Sequence, residues 1–233
     1  MLSFEYHNPT RYVFGEGEHR NIGALLRPLT NRVLLHYGGG SIKRTGLYDS
    51  IVNSLAEAGI SYCELGGVKP NPSVCLVKKG IELCRNEGIS FVLAVGGGSV
   101  IDSAKAIALG VPHHGDVWKL YTREESPATS PLPVACVLTL PAAGSENSPN
   151  TVLTHEESTR KLGYGHPALR PVLSVVDPTL FLTLPANQMA NGAADMLCHI
   201  FERYFSNTPD TALSDVLCEA TMRTIMQPAV RLK

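Results

Sequence analysis

The chain has 233 residues, with 20 Lys and Arg against 21 Asp and Glu, and a formal net charge of −1. With 44% apolar and 18% charged residues it has the composition of a globular protein, and it offers no basic excess for a nucleic-acid partner. No apolar run reaches the ~18 to 20 residues of a membrane-spanning helix, and the opening MLSFEYHNPTRY lacks the basic start and apolar core of a signal peptide, so neither membrane nor export is expected.

In chain order, residues 4–15 alternate aromatic and polar positions around Asn8-Pro9-Thr10 and predict a small strand or hairpin. A helix follows over 18–29, stopped by Pro28, then a short apolar strand over 32–37. A glycine run, Gly38-Gly39-Gly40-Ser41, comes next, and Leu47, Ile51, Leu55 and Ala58 predict one long amphipathic helix over about 43–58. A strand over 60–65, a rigid VKPNP loop and a helix over 73–86 lead into FVLAVGGGSVIDSAKAIA, residues 91–108. There Phe91 to Val95 form a continuous apolar run, the mark of a strand covered on both faces of a parallel sheet. Gly96, Gly97, Gly98 and Ser99 then enter a helix whose unpaired amides suit a phosphate or pyrophosphate; a tight turn with no ligand is the alternative.

Beyond the helix over 101–109, a polar, proline-containing surface loop is expected over 110–133. Strands are predicted over 134–138, 151–154 and 173–176, with a small-residue loop, TLPAAGSE, at 139–146 and a turn-prone segment over 155–171. The alternation predicts an α/β fold, a mostly parallel sheet with helices on both faces, and ligands at the carboxyl ends of its strands, where both glycine runs fall. From Thr179 onward nothing reads as a strand. Helices over about 186–205 and 211–230 predict the start of an all-helical part, with the division placed at 182/183.

Met189, Met196, Leu197, Ile200, Phe201 and Tyr204 form an apolar face on the first of these helices that needs partners. On the same helix Asp195 and His199, four apart, share a face and could bind one divalent metal; a plain hydrogen-bonded surface pair is the alternative. Cys198 between them points elsewhere and is expected in the core. The six cysteines, Cys63, Cys75, Cys84, Cys136, Cys198 and Cys218, contain no CxxC pair, which predicts reduced thiols and a cytoplasmic protein.

Taken together, GGGS at 96–99 with Asp102, TLPAAGSE at 139–146, Lys161, NPTRYVFGEG at 8–17, VKPNP at 68–72 and DMLCH at 195–199 resemble the iron-containing, or group III, alcohol dehydrogenases. The likeness is greatest to their NADPH-using butanol dehydrogenase and broad-range aldehyde reductase branch. The resemblance implies a Rossmann-like dinucleotide-binding domain, a helical metal-binding domain and a homo-oligomer that interconverts small alcohols and aldehydes. It implies that Gly96, Gly97, Gly98 and Ser99 hold the pyrophosphate, and that Thr139, Leu140 and neighbours up to Ser145 line the cofactor walls. Lys161 would reach a ribose hydroxyl, and Asp102 and His199 would take catalytic roles, Asp102 near the nicotinamide.

Asp195 and His199 match the first two ligands of an Fe2+ or Zn2+ ion. Two further histidines implied by the family have no counterpart after His199, so an incomplete metal site and a chain ending partway into the helical domain are expected. Ala143 stands where many relatives carry threonine. A carboxylate after the second strand would favour NAD; Gly38, Gly39, Gly40 and Ser41, with Lys43 and Arg44 nearby, favour NADP(H) instead. The competing expectations are an inactive dinucleotide-binding fragment of such an enzyme and a glycerol-type polyol dehydrogenase relative.

Overall fold

The computed structural model describes residues 3, 5–127 and 129–231. Residues 1, 2, 4, 128, 232 and 233, on which the ends of several expected segments fall, lie outside the described residues. Two compact units form, a larger one from Asn8–Leu140 and Gly144–Leu180 and a smaller one built mainly on 181–231.

The larger unit is a six-stranded, wholly parallel sheet. Its strands are β1 (Arg11–Phe14), β2 (Arg32–Gly38), β3 (Ser61–Val68), β4 (Val92–Gly96), β5 (Val134–Leu138) and, two strands later in the chain, β8 (Leu173–Val176). Their order is β1-β8-β5-β4-β2-β3, and the central strands are apolar on both faces because helices cover both. On one face α1 (Ile22–Leu26) and α3 (Leu47–Glu57) bring Ile22, Leu26, Ile51 and Leu55 against Leu35, Leu93, Val137 and Val175, all buried. Each such fully buried side chain contributes about 1.5–3 kcal/mol. On the other face α4 (Val74–Asn86), capped by Ser73 accepting from the Leu76 amide, packs on α5 (Gly98–Gly110).

The structure corrects several expectations. The single helix over 43–58 is two, α2 (Ser41–Arg44) and α3, because Gly46 takes a left-handed φ of 78° that ends one and starts the other. Of the strand or hairpin expected over 4–15, the strand is what forms: β1 pairs in parallel with β8, and no hairpin is present among the described residues. The 110–133 loop carries a helix, α6 (Val117–Tyr121), capped by Asp116, with Val117, Leu120 and Tyr121 buried. The turn-prone segment contains β7 (Arg160–Gly165), which forms an antiparallel hairpin with β6 (Asn150–His155) outside the main sheet.

In the smaller unit α7 (Ala186–Tyr204) and α8 (Ala212–Arg231) pack together, with Tyr204 donating to Glu219 at 3.1 Å. Ile200 is buried there, whereas Phe205 and Leu213 remain 72% and 75% exposed. Cys198 is exposed, contrary to the expected core position: within this unit α7 is covered by α8 and, at Gly192, by the 141–143 segment, too little to bury more than part of its surface. Among the described residues no helix is long and apolar enough to cross a membrane.

Candidate functional site

The sheet order explains why the glycine loops meet. From β2 the chain moves outward to the edge strand β3, then returns to β4 on the opposite side of β2 and continues outward to β5. The carboxyl ends of β2 and β4 therefore flank the switch point, where open parallel sheets form their ligand crevice. The loops at 38–41 and 96–98 leave from these two strands, and Thr139 and Leu140 leave from β5 beside them.

Local sequence builds each wall. Gly96 can be nothing larger, since a Cβ there would sit 2.4 Å from the Val100 side chain. That closeness drops the start of α5 tightly behind β4. Gly97 caps α5 without a side-chain hydrogen bond, leaving the first-turn amides, those of Gly98 and Ser99, open to an anion. Across the switch point Gly40 takes φ +103°, which a side chain would strain, and no atom lies within 4 Å of a Cβ built at Gly39 or Gly40. Lys43 is not a free cation: its ammonium lies 3.5 Å from the Glu64 carboxylate and over the rings of Tyr37 and Tyr48. The hydroxyls of Tyr48 and Tyr37 also donate to Glu64; the Tyr48 bond leads in holding its carboxyl below the usual range.

Asp102 lies one turn into α5. Its Oδ1 accepts from the Ser145 hydroxyl at 2.6 Å and its Oδ2 from the Val152 amide at 3.2 Å. Burial raises its pKa, opposed by the Ser145 hydrogen bond and the Lys105 charge. Ser145 is itself buried, so its hydroxyl serves this network. Lys161, on β7, donates to Asn71 Oδ1 at 2.8 Å in an exposed position. Behind the crevice, buried His36 donates from Nδ1 to the Leu65 carbonyl and accepts at Nε2 from Ser103; burial holds its pKa down at about 4. His19 and Asp177 form a second buried pair at 2.5 Å.

Sequence reasoning missed Lys105. Its side chain is fully buried, and its ammonium donates to the carbonyls of Ser145 (2.6 Å), Ser148 (2.8 Å) and Asn150 (3.0 Å), with Ser145 Oγ at 3.2 Å. The available signal was a lone lysine in a run of otherwise small and apolar residues, three residues after Asp102.

In the smaller unit Asp195 Oδ2 and His199 Nε2 stand 3.8 Å apart on one face of α7, each about half exposed. A carboxylate and an imidazole so placed fit two donors of a divalent cation. Among the described residues no group of three or more His, Cys, Asp or Glu side chains gathers to complete such a set.

The larger unit carries a glycine-lined crevice at its switch point and the smaller unit a carboxylate–imidazole pair on α7, and comparison with known proteins gives the family. Residues 9–178 match the profile of the iron-containing alcohol dehydrogenases, and the chain belongs to that family. It is 47% identical over 227 residues to NADH-dependent butanol dehydrogenase A of Clostridium acetobutylicum, covering 97% of this chain and 58% of that one. It is 36% identical over 229 residues to an NADPH-dependent aldehyde reductase of Escherichia coli, with 97% and 58% covered. The crystal structure of an NADH-dependent butanol dehydrogenase A from Thermotoga maritima superposes with a TM-score of 0.95 at 42% identity, covering all of this chain and 58% of the other. The chain thus spans just under 60% of the length of these relatives.

Proposed function

We propose that this chain binds NADP(H) along the carboxyl edge of its sheet and serves the interconversion of a small primary alcohol and its aldehyde, with a divalent cation held by Asp195 and His199. The observation that carries the reading is the pair of glycine loops flanking the β2/β4 switch point in a chain of this family. The open amides at Gly98 and Ser99 receive the pyrophosphate. Thr139 and Leu140 line the adjoining wall, Lys161 reaches a ribose hydroxyl, and Asp102, fixed by Ser145 and the Val152 amide, faces the nicotinamide end. When bound, the cation supplies Lewis acidity toward the alcohol or aldehyde oxygen and the dinucleotide supplies the hydride. The chain's own residues bind and orient.

The choice of NADP(H) rests on the β2 loop. Gly39 and Gly40 leave room for a 2′-phosphate, Ser41 adds a hydroxyl, and the Glu64 carboxylate is occupied by two tyrosines and Lys43. Relatives named for NADH and for NADPH both occur, and the open β2 loop is what supports NADP(H). Titration of NADPH and NADH at fixed salt tests it: tighter NADPH binding is expected, equal or tighter NADH binding removes the NADP(H) preference, and binding of neither removes the site. A second reading, binding without turnover, is favoured by the two-donor set on α7. Butanal-dependent loss of NADPH absorbance in Fe2+- or Zn2+-loaded protein would exclude it.

A further inference from the structure

Lys105 is the one lysine among the described residues with no solvent exposure. An ammonium has three protons, and here three backbone carbonyls, those of Ser145, Ser148 and Asn150, take them at 2.6, 2.8 and 3.0 Å. These carbonyls belong to the segment that leads from the end of the TLPAAGSE loop into β6. The longer contact, to Ser145 Oγ at 3.2 Å, meets the hydroxyl that donates to Asp102 at 2.6 Å. Thr151, next in line, donates its hydroxyl to the Asp102 carbonyl at 2.8 Å, and the Val152 amide donates to its carboxylate. One buried charge therefore ties six consecutive residues to α5 and joins them to the only acidic group of that helix. A structural hydrogen-bonding role alone would be met by neutral donors, whereas burying an ammonium carries a desolvation cost of several kcal/mol.

We propose that Lys105 is a positioning residue of the dinucleotide site: its charge holds the 145–150 segment and, through Ser145, fixes Asp102 at the nicotinamide end before the cofactor arrives. The inference rests on the dinucleotide reading given above. Preorganisation of this kind strengthens binding by removing the cost of ordering the wall.

The clamp also has a pH limit. Burial pushes the ammonium down to about 8, countered first by the charge of Asp102 and also by Glu146, and reinforced by Arg170; the buried Cys136 thiol nearby stays protonated. These groups come from α5, from β5, from the turn after Gly144 and from the segment before β8, and Lys161 on β7 also acts on Asp102. A neutral amine has two protons, so deprotonation frees one carbonyl and leaves Asp102 without its counter-charge.

The test measures NADPH and NADH binding from neutral to alkaline pH, together with amide hydrogen exchange without cofactor, in the native 233-residue chain, Lys105→Met and Lys105→Gln. In the native chain binding weakens above about pH 8. Both variants are expected to bind about tenfold or more weakly at neutral pH, to lack that alkaline limb, and to exchange faster at 145–152 with β4 and β5 still protected. Lys105→Gln retains two donors without charge, so it decides the matter if Lys105→Met does not fold. Native-strength binding by a folded variant, or an alkaline limb that persists in it, overturns the proposal. A native chain that binds neither dinucleotide overturns the cofactor reading instead; the clamp is then judged by exchange, and unchanged rates at 145–152 in the variants sink it.

Discussion

Two acid–base pairs in this molecule are built on opposite principles. On α5 Lys105 lies buried and Asp102 partly buried, bridged by Ser145, with hydrogen bonds from the Val152 amide to the carboxylate and from the ammonium to three carbonyls. Asp195 and His199 lie about half exposed on α7, 3.8 Å apart. The first pair is desolvated and fixed, so its geometry belongs to the fold and breaking it is costly. The second is hydrated and loosely coupled, so it contributes little to stability and stays available to a cation. The contrast sets one pair held in place by hydrogen bonds of the larger unit against another left half exposed on a helix of the smaller unit.

Four measurements break or sharpen that contrast. The largest effect is expected from Lys105→Met, which strips the shared ammonium donor from three carbonyls, one of them buried and two partly buried; urea unfolding should show a loss of about 3–5 kcal/mol. A loss below about 1 kcal/mol would place Lys105 with the exposed class.

Next comes acid. His36 is neutral in the fold, with a pKa near 4 against 6.5 unfolded, because burial disfavours the imidazolium. The unfolded chain therefore takes up a proton first, and stability falls as pH drops from 6.5 toward 4, by roughly 3 kcal/mol at most. Unfolding midpoints across that window should flatten in His36→Gln, and an equal slope in the variant would refute the assignment. Asp177 adds a later loss: burial works against its charge, yet Thr179 and His19 hold its carboxyl at about 2, so its contribution disappears as pH falls from about 4 toward 2.

Tyr121→Phe removes the buried 3.1 Å hydrogen bond to Thr151 that backs the Asp102 network. About 1 kcal/mol is expected by thermal unfolding, and no change would show that Thr151 needs only its bond to the Asp102 carbonyl. The smallest effect on stability is expected from Asp195→Asn, about 0.5 kcal/mol or less, while calorimetric titration with Zn2+ should lose its binding heat. A destabilisation above about 1 kcal/mol would mean the pair is structural after all.

How much of this could be read beforehand follows from where each signal lies. The strands at 92–96, 134–138 and 173–176 were legible because a strand covered on both faces is a short unbroken apolar run between turn residues. The β7 strand, RKLGYG, was not legible: of its own residues it buries Tyr164 alone, leaving two charges and two glycines that imitate a turn. The break at Gly46 was legible in principle as a glycine inside a helical pattern, but the apolar spacing on its far side outweighed it. For the site, the glycine loops spoke through their backbone freedom. Lys105 stayed silent because a lysine in sequence reads as solvent-facing, and only tertiary contacts reveal that three carbonyls surround it.

The pairing of β1 with β8 imposes an order on assembly. Arg11 registers with Leu173 and Phe14 with Val176, so one of the first strands to leave the ribosome finds its partner only after the last strand of the sheet has been made. Until then β5 has a bare flank, and the N-terminal strand waits as an unpaired tether. Closure of the sheet is thus a late, long-range event, and a chain arrested in translation before Leu173 would hold its two glycine loops on an open half-sheet, exposed to edge-to-edge pairing with its neighbours.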